Sequence, residues 1–356
     1  MHGSARPKRH AIVRAIIGET GNPMNILITG MAGFIGHAVA KRLAADGHTI
    51  VGIDNLNDYY DVALKQARLD DLAAYPNVRF ECIDLADQAA MQALFAGERF
   101  ERVIHLAAQA GVRYSLDNPH VYAQANLVGH LNVLEGCRHQ QVPHLIYASS
   151  SSVYGQNAHV PFSTADAVDH PISLYAATKK SNELMTHSYA HLYGIPSTGL
   201  RFFTVYGPWG RPDMAMFKFT RAILAGEPLP IFNHGDLSRD FTYIDDIVEG
   251  VVRIQDVIPQ ADTERQATAP DQSTAPFALY NIGHGSPVAL MDFVRALERV
   301  TGRTAQCDYQ PMQPGDVPRT WADTEALFDA VDYRPTVGVE EGVARFVDWY
   351  RAFYHV

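Results

Sequence analysis

The sequence predicts an α/β fold: a parallel sheet covered by helices on both faces, followed by a smaller and less regular second half. Three observations predict it. Short apolar runs alternate with helical patterns through residues 24–203, the signature of strand–helix–strand units. Gly30, Gly33 and Gly36 punctuate the first run-to-helix junction, ITGMAGFIG, where a tight turn needs bare backbone. The 356 residues are 47% apolar, enough for a sizeable core in one large or two ordinary domains.

The elements follow in order. ILIT reads as the first strand, with a helix from about Gly33, then TIVGID as the second strand and a helix near 61–74. VRFECIDL, a helix near 87–96 and RVIHLAA continue the alternation. A helix near 119–140, HLIYASS, a helix near 173–193 and STGLRF complete it. Ser173 is placed to cap the last helix, and Gly194 and Pro196 to end it. After Phe203 prolines multiply and the spacing loosens. The expected division is a disordered leader over 1–23, a Rossmann-type doubly wound domain over 24–203 and a smaller domain over 204–356, with segments free to return to the first. Residues 256–277 are polar, contain proline and lack periodicity, so they read as a long surface loop. No internal repeat is visible. The leader is basic without a signal core, and Met24, directly before the first strand, reads as an alternative start.

Composition narrows the function. A net charge of -10 argues against a broad nucleic-acid or anionic-membrane surface and for a small ligand met by local groups. Cys82, Cys137 and Cys307 are odd in number and scattered, so neither a disulfide framework nor a metal site is expected. No apolar run approaches the roughly 18 residues of a membrane span. A cytoplasmic protein is the expectation.

A glycine turn that opens a helix brings a pyrophosphate to backbone N–H groups at the positive helix end. Asp54 ends the second strand, 18 residues after Gly36, where a carboxylate accepts both ribose hydroxyls and repels a 2′-phosphate. NAD is favoured over NADP. In YAATK, Tyr175 and Lys179 lie four residues apart on one helical face, so the ammonium is placed to lower the phenol toward the range of a general base. A serine cluster in ASSSSVYG, 148–155, ends the preceding strand and supplies a hydroxyl for the same substrate oxygen.

With these residues the chain resembles the extended short-chain dehydrogenase/reductases of the nucleotide-sugar epimerase group, and within it the UDP-glucuronate 4-epimerases. The resemblance runs from about Met24 to the C-terminus, through ITGMAGFIG, GIDNLNDYYDVALK, HLAAQAGVRYSLDNP, ASSSSVYG, YAATK, LRFFTVYGPWGRPDMA, RDFTYIDDI and PMQPGDVPRTWAD. It implies an NAD site formed by Gly30, Gly33, Phe34, Ile35, Gly36, Asp54, Asn55, Asp84, Leu85, Ala107, Ala108, Asn126, Ser149, Tyr175, Lys179 and Phe202. Ser150 aligns with the catalytic hydroxyl, though its neighbours Ser149, Ser151 and Ser152 leave that assignment open by one position.

For a UDP-sugar the resemblance implies Phe232 on uracil, Arg239 on the diphosphate and Asp316 on the ribose. Core packing for Phe232, pairing of Arg239 with Asp240 or Asp245, and a plain turn at Asp316 stay open as alternatives. Gln313 stands where related UDP-galactose epimerases carry arginine, and Thr204 where they carry asparagine. Arg211, with Thr204, Ser151 and Ser152, is expected beside the sugar, where an arginine binds a C6 carboxylate bidentately. The implied activity is C4 epimerisation through a transient 4-keto sugar, with UDP-glucuronate as substrate, in a homodimer. Ser151 and Ser152 occupy the positions of the acid pair that dehydratases of the group require. The alternatives are a UDP-glucose/UDP-galactose-type epimerase, a net oxidoreductase and a non-enzymatic NAD sensor.

Overall fold

Asn25–Thr29 occupies an interior position of a seven-stranded parallel sheet in the computed structural model, which describes residues 22–356 apart from 266, 268, 314 and 315. The expected leader lies outside the described residues up to residue 21. Across the sheet the order is Phe277–Ile282, Ser197–Phe202, Leu145–Ser150, Arg102–His105, Asn25–Thr29, Thr49–Asp54 and Val78–Cys82. Alternate side chains of one strand feed two cores. Ile26 and Ile28 join Ile50, Ile104, Ile146 and Leu200 on one face. Leu27 joins Val51, Ile53, Val103 and Leu145 on the other. A strand buried on both faces has no polar alternation to show, which is why these runs read as continuously apolar.

Helices Phe34–Ala45 and Ile244–Ile254 cover the first face, Gln88–Gly97 and Gly129–Gln140 the second. Strand order reverses between Asn25–Thr29 and Arg102–His105, so a crevice opens beyond their carboxyl ends. Thr29 pins the two edges there, its hydroxyl accepting from Ala107 N at 3.1 Å.

The second half is interleaved with the first. Phe277–Ile282 returns to pair with Ser197–Phe202 at the sheet edge. Helices Ala215–Ala225, Leu290–Thr301 and Val339–Tyr354 pack into the first core through Phe217, Phe293 and Phe346. Asp240 ties the loops together, its buried carboxylate accepting from the N–H groups of His284, Gly285 and Ala322 at 2.8–3.1 Å. The helix expected over 119–140 runs without interruption through Pro119–Tyr122, a π-helical stretch Ala123–Val128 and Gly129–Gln140. The widened turn coincides with Asn126, whose side chain bonds the Gln109 backbone.

Candidate active site

The chain leaves the first strand at Gly30 with φ +75°, where a Cβ would lie 2.8 Å from Ala107 N. A Cβ on Gly36 would lie 2.1 Å from Gly30 O. These two glycines are therefore demanded by the protein's own backbone contacts, as a tight turn at this junction requires. Gly33 precedes the helix Phe34–Ala45 without a side-chain cap, and no acidic residue occupies its first turn. Its leading N–H groups are free to meet an anion.

Asp54 ends the second strand with Oδ1 accepting from Leu56 N at 2.9 Å, and Lys65 Nζ stands 3.9 Å away. Asn55 Nδ2 donates to Asp84 Oδ2 at 3.0 Å. The turn, Asp54, Asn55, Asp84, Leu85, Ala107 and Ala108 wall a cavity of about 830 Å³. A backbone cradle at a helix N-terminus with a carboxylate at the next strand end fits a dinucleotide. Asn126 is the exception among the expected cofactor residues. Its amide is taken by Gln109 N and O and by Thr178 Oγ1, so it supports the 107–111 segment from behind and is not a wall of the cavity.

Helix Leu174–Tyr193 begins where Ser173 Oγ accepts from Ala176 N at 3.1 Å and ends at left-handed Gly194. It brings Tyr175 and Lys179 to the cavity, opposite the end of Leu145–Ser150. Ser149 and Ser150 separate by their partners. Ser149 donates to Glu183 Oε1 at 2.6 Å, and Glu183 is held by Arg201 Nε and Nη2 at 2.8 and 3.0 Å. Burial works against that carboxylate, but Arg201 keeps it below its ordinary range. Ser149 thus lines the cavity with its hydroxyl committed away from it. Ser150 caps the turn Ser151–Tyr154, accepting from Ser152 N at 3.2 Å and donating to Ser152 Oγ at 3.2 Å, and it lines the cavity with Tyr175.

Burial raises the Tyr175 phenol, while the Ser150 hydroxyl and the Arg211 charge lower it. Lys179 is 2% exposed, and burial brings its ammonium down to about 8 with Glu183 opposing. Arg211 thus supplies one positive charge that acts on the phenol, and Lys179, one helical turn from Tyr175, lines the same cavity.

On the far side, Thr204 stands on the strand Thr204–Tyr206 and Arg211 on the loop beyond it, both lining the cavity. Arg211 is not a solvated loop residue. Its Nε donates to Asp213 Oδ1 at 2.9 Å and its Nη2 to Oδ2 at 2.5 Å, while Tyr59 OH donates to the same carboxylate at 3.1 Å. Burial and Asp213 push the Tyr59 phenol up to about 12, so it remains a proton donor. Arg239 Nη2 donates to Asp316 Oδ1 at 2.7 Å. The two residues expected on UDP therefore meet each other, and Asp240 and Asp245 are not the partners. Phe232 is half-buried in the cavity wall, with the Arg113 guanidinium 5.3 Å from its ring centre.

Every expected site residue except Asn126 lines this one cavity. Sequence reasoning missed Tyr59, Lys65, Asp213 and Lys218, which also line it. GIDNLNDYYDVALK and GRPDMA carried the signal, because aromatic and charged residues beside expected site residues are candidates for the same wall.

Residues 26–265 match the NAD dependent epimerase/dehydratase family. The probable UDP-glucuronate 4-epimerase of Rhizobium meliloti is 52% identical over 337 residues, 93% of this chain and 98% of that protein. The structure of Bacillus cereus UDP-glucuronic acid 4-epimerase with UDP-glucuronic acid and NAD superposes with a TM-score of 0.80 at 32% identity, covering 93% of this chain and 100% of that one. Thermotoga maritima UDP-glucose 4-epimerase with UDP-glucose gives 0.80 at 31%, over the same shares. By matched length and identity, the chain belongs to the NAD dependent epimerase/dehydratase family.

Proposed function

We propose that this NAD-dependent epimerase inverts C4 of UDP-glucuronate to give UDP-galacturonate through a 4-keto sugar. The observation that carries the reading is the single cavity joining the glycine turn and Asp54 to Phe232, Arg239 and Asp316, with Tyr175, Ser150, Thr204 and Arg211 along its walls. Bound NAD supplies the reversible two-electron oxidation that no side chain of the protein can provide. Tyr175 removes the C4 hydroxyl proton at its phenolic oxygen and later returns one, and Ser150 holds the same oxygen. Phe232, Arg239 and Asp316 hold the UDP while the keto sugar turns, so that either face of C4 can be reached.

Arg211 decides the sugar. Asp213 occupies the Nε side of its guanidinium, and Nη1 carries no hydrogen bond to a described residue. The Nη1–Nη2 end is left for a C6 carboxylate, a bidentate match unavailable to a C6 alcohol. Holding that carboxylate in the plane of the neighbouring ketone also suppresses loss of CO₂ from the β-keto acid. Relatives named for glucuronate and for glucose superpose equally well, so the substrate rests on this arginine.

The same reading takes the protein as a cytoplasmic homodimer. Val121, Leu131, Leu184 and Leu192 are exposed apolar residues on the helical segments 119–140 and 174–193, a surface suited to a second copy. No described helix is long and apolar enough to cross a membrane, and Cys82, Cys137 and Cys307 are unpaired.

Separate incubation with UDP-glucuronate, UDP-glucose and UDP-N-acetylglucosamine, followed by chromatography of the UDP-sugars, tests the function. UDP-galacturonate formed without added NAD is the expected result. A preference for UDP-glucose removes the carboxylate reading, and stoichiometric NADH formation replaces epimerisation with net oxidation.

A further inference from the structure

Arg68, on helix Val62–Leu72, has no solvent exposure and no assigned task. Its Nη1 donates to Ala32 O at 2.8 Å and to the Tyr60 hydroxyl at 2.7 Å. Its Nη2 donates to Trp209 O at 2.6 Å and Gly210 O at 3.4 Å. Ala32 lies inside the glycine turn, Tyr60 lines the cavity, and Trp209 and Gly210 immediately precede Arg211. One guanidinium thus bridges the dinucleotide turn and the loop that carries Arg211.

All four acceptors are uncharged, and Arg68 Nε has no partner among the described residues. The Asp54 carboxylate acts on it only through space, and a buried cation with no hydrogen-bonded carboxylate loses hydration that neutral hydrogen bonds only partly replace. Stability alone favours an apolar side chain there. Trp209, meanwhile, sits at φ +64°, a left-handed conformation that a bulky side chain keeps only where its surroundings enforce it. Trp349 and Phe353 hold its ring, with centroids 5.4 and 5.3 Å away, and Arg68 holds its carbonyl. Relaxing that residue toward ordinary φ redirects the next two peptides and moves Arg211 from its place.

We infer that Arg68 is a positioning residue: a strut that maintains the Trp209 turn and thereby aims Arg211 at the substrate carboxylate. The inference rests on the reading of Arg211 given above. Because the strut acts through Arg211, its loss weakens binding of the charged sugar selectively and leaves the neutral sugar nearly as before.

The test compares calorimetric affinities for UDP-glucuronate and UDP-glucose in Arg68→Met, Arg68→Lys, Arg211→Ala and the Arg68→Met/Arg211→Ala double variant, with melting temperature and bound NAD measured alongside. Arg68→Met is expected to lose about tenfold or more in affinity for UDP-glucuronate relative to UDP-glucose, the scale of one charge-assisted hydrogen bond. Arg68→Lys recovers part of it, and the double variant is no weaker on UDP-glucuronate than Arg211→Ala alone. Equal losses on both sugars, or additive losses in the double variant, overturn the strut. An Arg211→Ala variant that discriminates as the parent does overturns the carboxylate reading instead, and the strut with it. Arg68→Gln, which keeps a donor and much of the volume, carries the same comparison if Arg68→Met does not fold.

Discussion

Replacing Arg211 by alanine tests the proposed contact with a C6 carboxylate. Two of its nitrogens already hold Asp213, so the free end contributes one charge-assisted bidentate contact to a ligand. Such hydrogen bonds contribute about 1.5–3 kcal/mol, which corresponds to a loss of about 10- to 150-fold in kcat/KM for UDP-glucuronate. The structure pushes the effect toward the upper end. Without Arg211, Asp213 keeps the Tyr59 hydroxyl and the more distant charge of Lys218 but loses its paired cation on the cavity wall, facing a negatively charged sugar. Arg211→Ala/Asp213→Asn is therefore expected to recover part of the loss. Steady-state kinetics with UDP-glucuronate and UDP-glucose measure the selectivity, and chromatography detects UDP-pentose released when the β-keto acid is no longer restrained. Equal losses on both sugars, with no pentose product, refute the clamp.

Three further outcomes are expected. Tyr175→Phe keeps fold and bound NAD and lowers turnover by about 10²-fold or more, the range for removing a general base; near-normal turnover in single-turnover assays eliminates it. Ser149→Ala and Ser150→Ala separate by readout, because the Ser149 hydroxyl serves the buried Glu183–Arg201 pair. The first lowers the melting temperature, the second lowers kcat, and the reverse pattern reassigns the catalytic hydroxyl. Asp54→Ala retains less NAD through purification, measured by release from denatured protein; parental NAD content in the variant removes Asp54 from ribose binding.

The sequence by itself determined what depends on neighbours along the chain. Runs rich in apolar residues, alternating with helical patterns, marked the first six sheet strands, because strands buried on both faces, as the five interior ones are and the edge strand Val78–Cys82 is not, carry mostly apolar side chains. Ser173 and Gly194 marked the ends of the helix that carries Tyr175 and Lys179, because caps satisfy local orphan groups. The glycine turn followed by Asp54 marked the nucleotide end, since its geometry repeats wherever a strand, tight turn and helix occur in succession.

Only the tertiary structure decided which charges meet. Arg239 finds Asp316 across 77 residues of chain, and Ser149 finds Glu183 across 34. With 39 acidic residues on offer, no local rule selects those partners. Sheet order and burial select them, by bringing distant segments to one wall and leaving a half-buried charge no water with which to replace its neighbour. The same holds for Asn126, turned behind the wall by a π-helical turn, and for Arg68, whose acceptors come from residues 32, 60, 209 and 210. Residue types carried the chemistry of this site, while the packing of remote segments decided which of them touch.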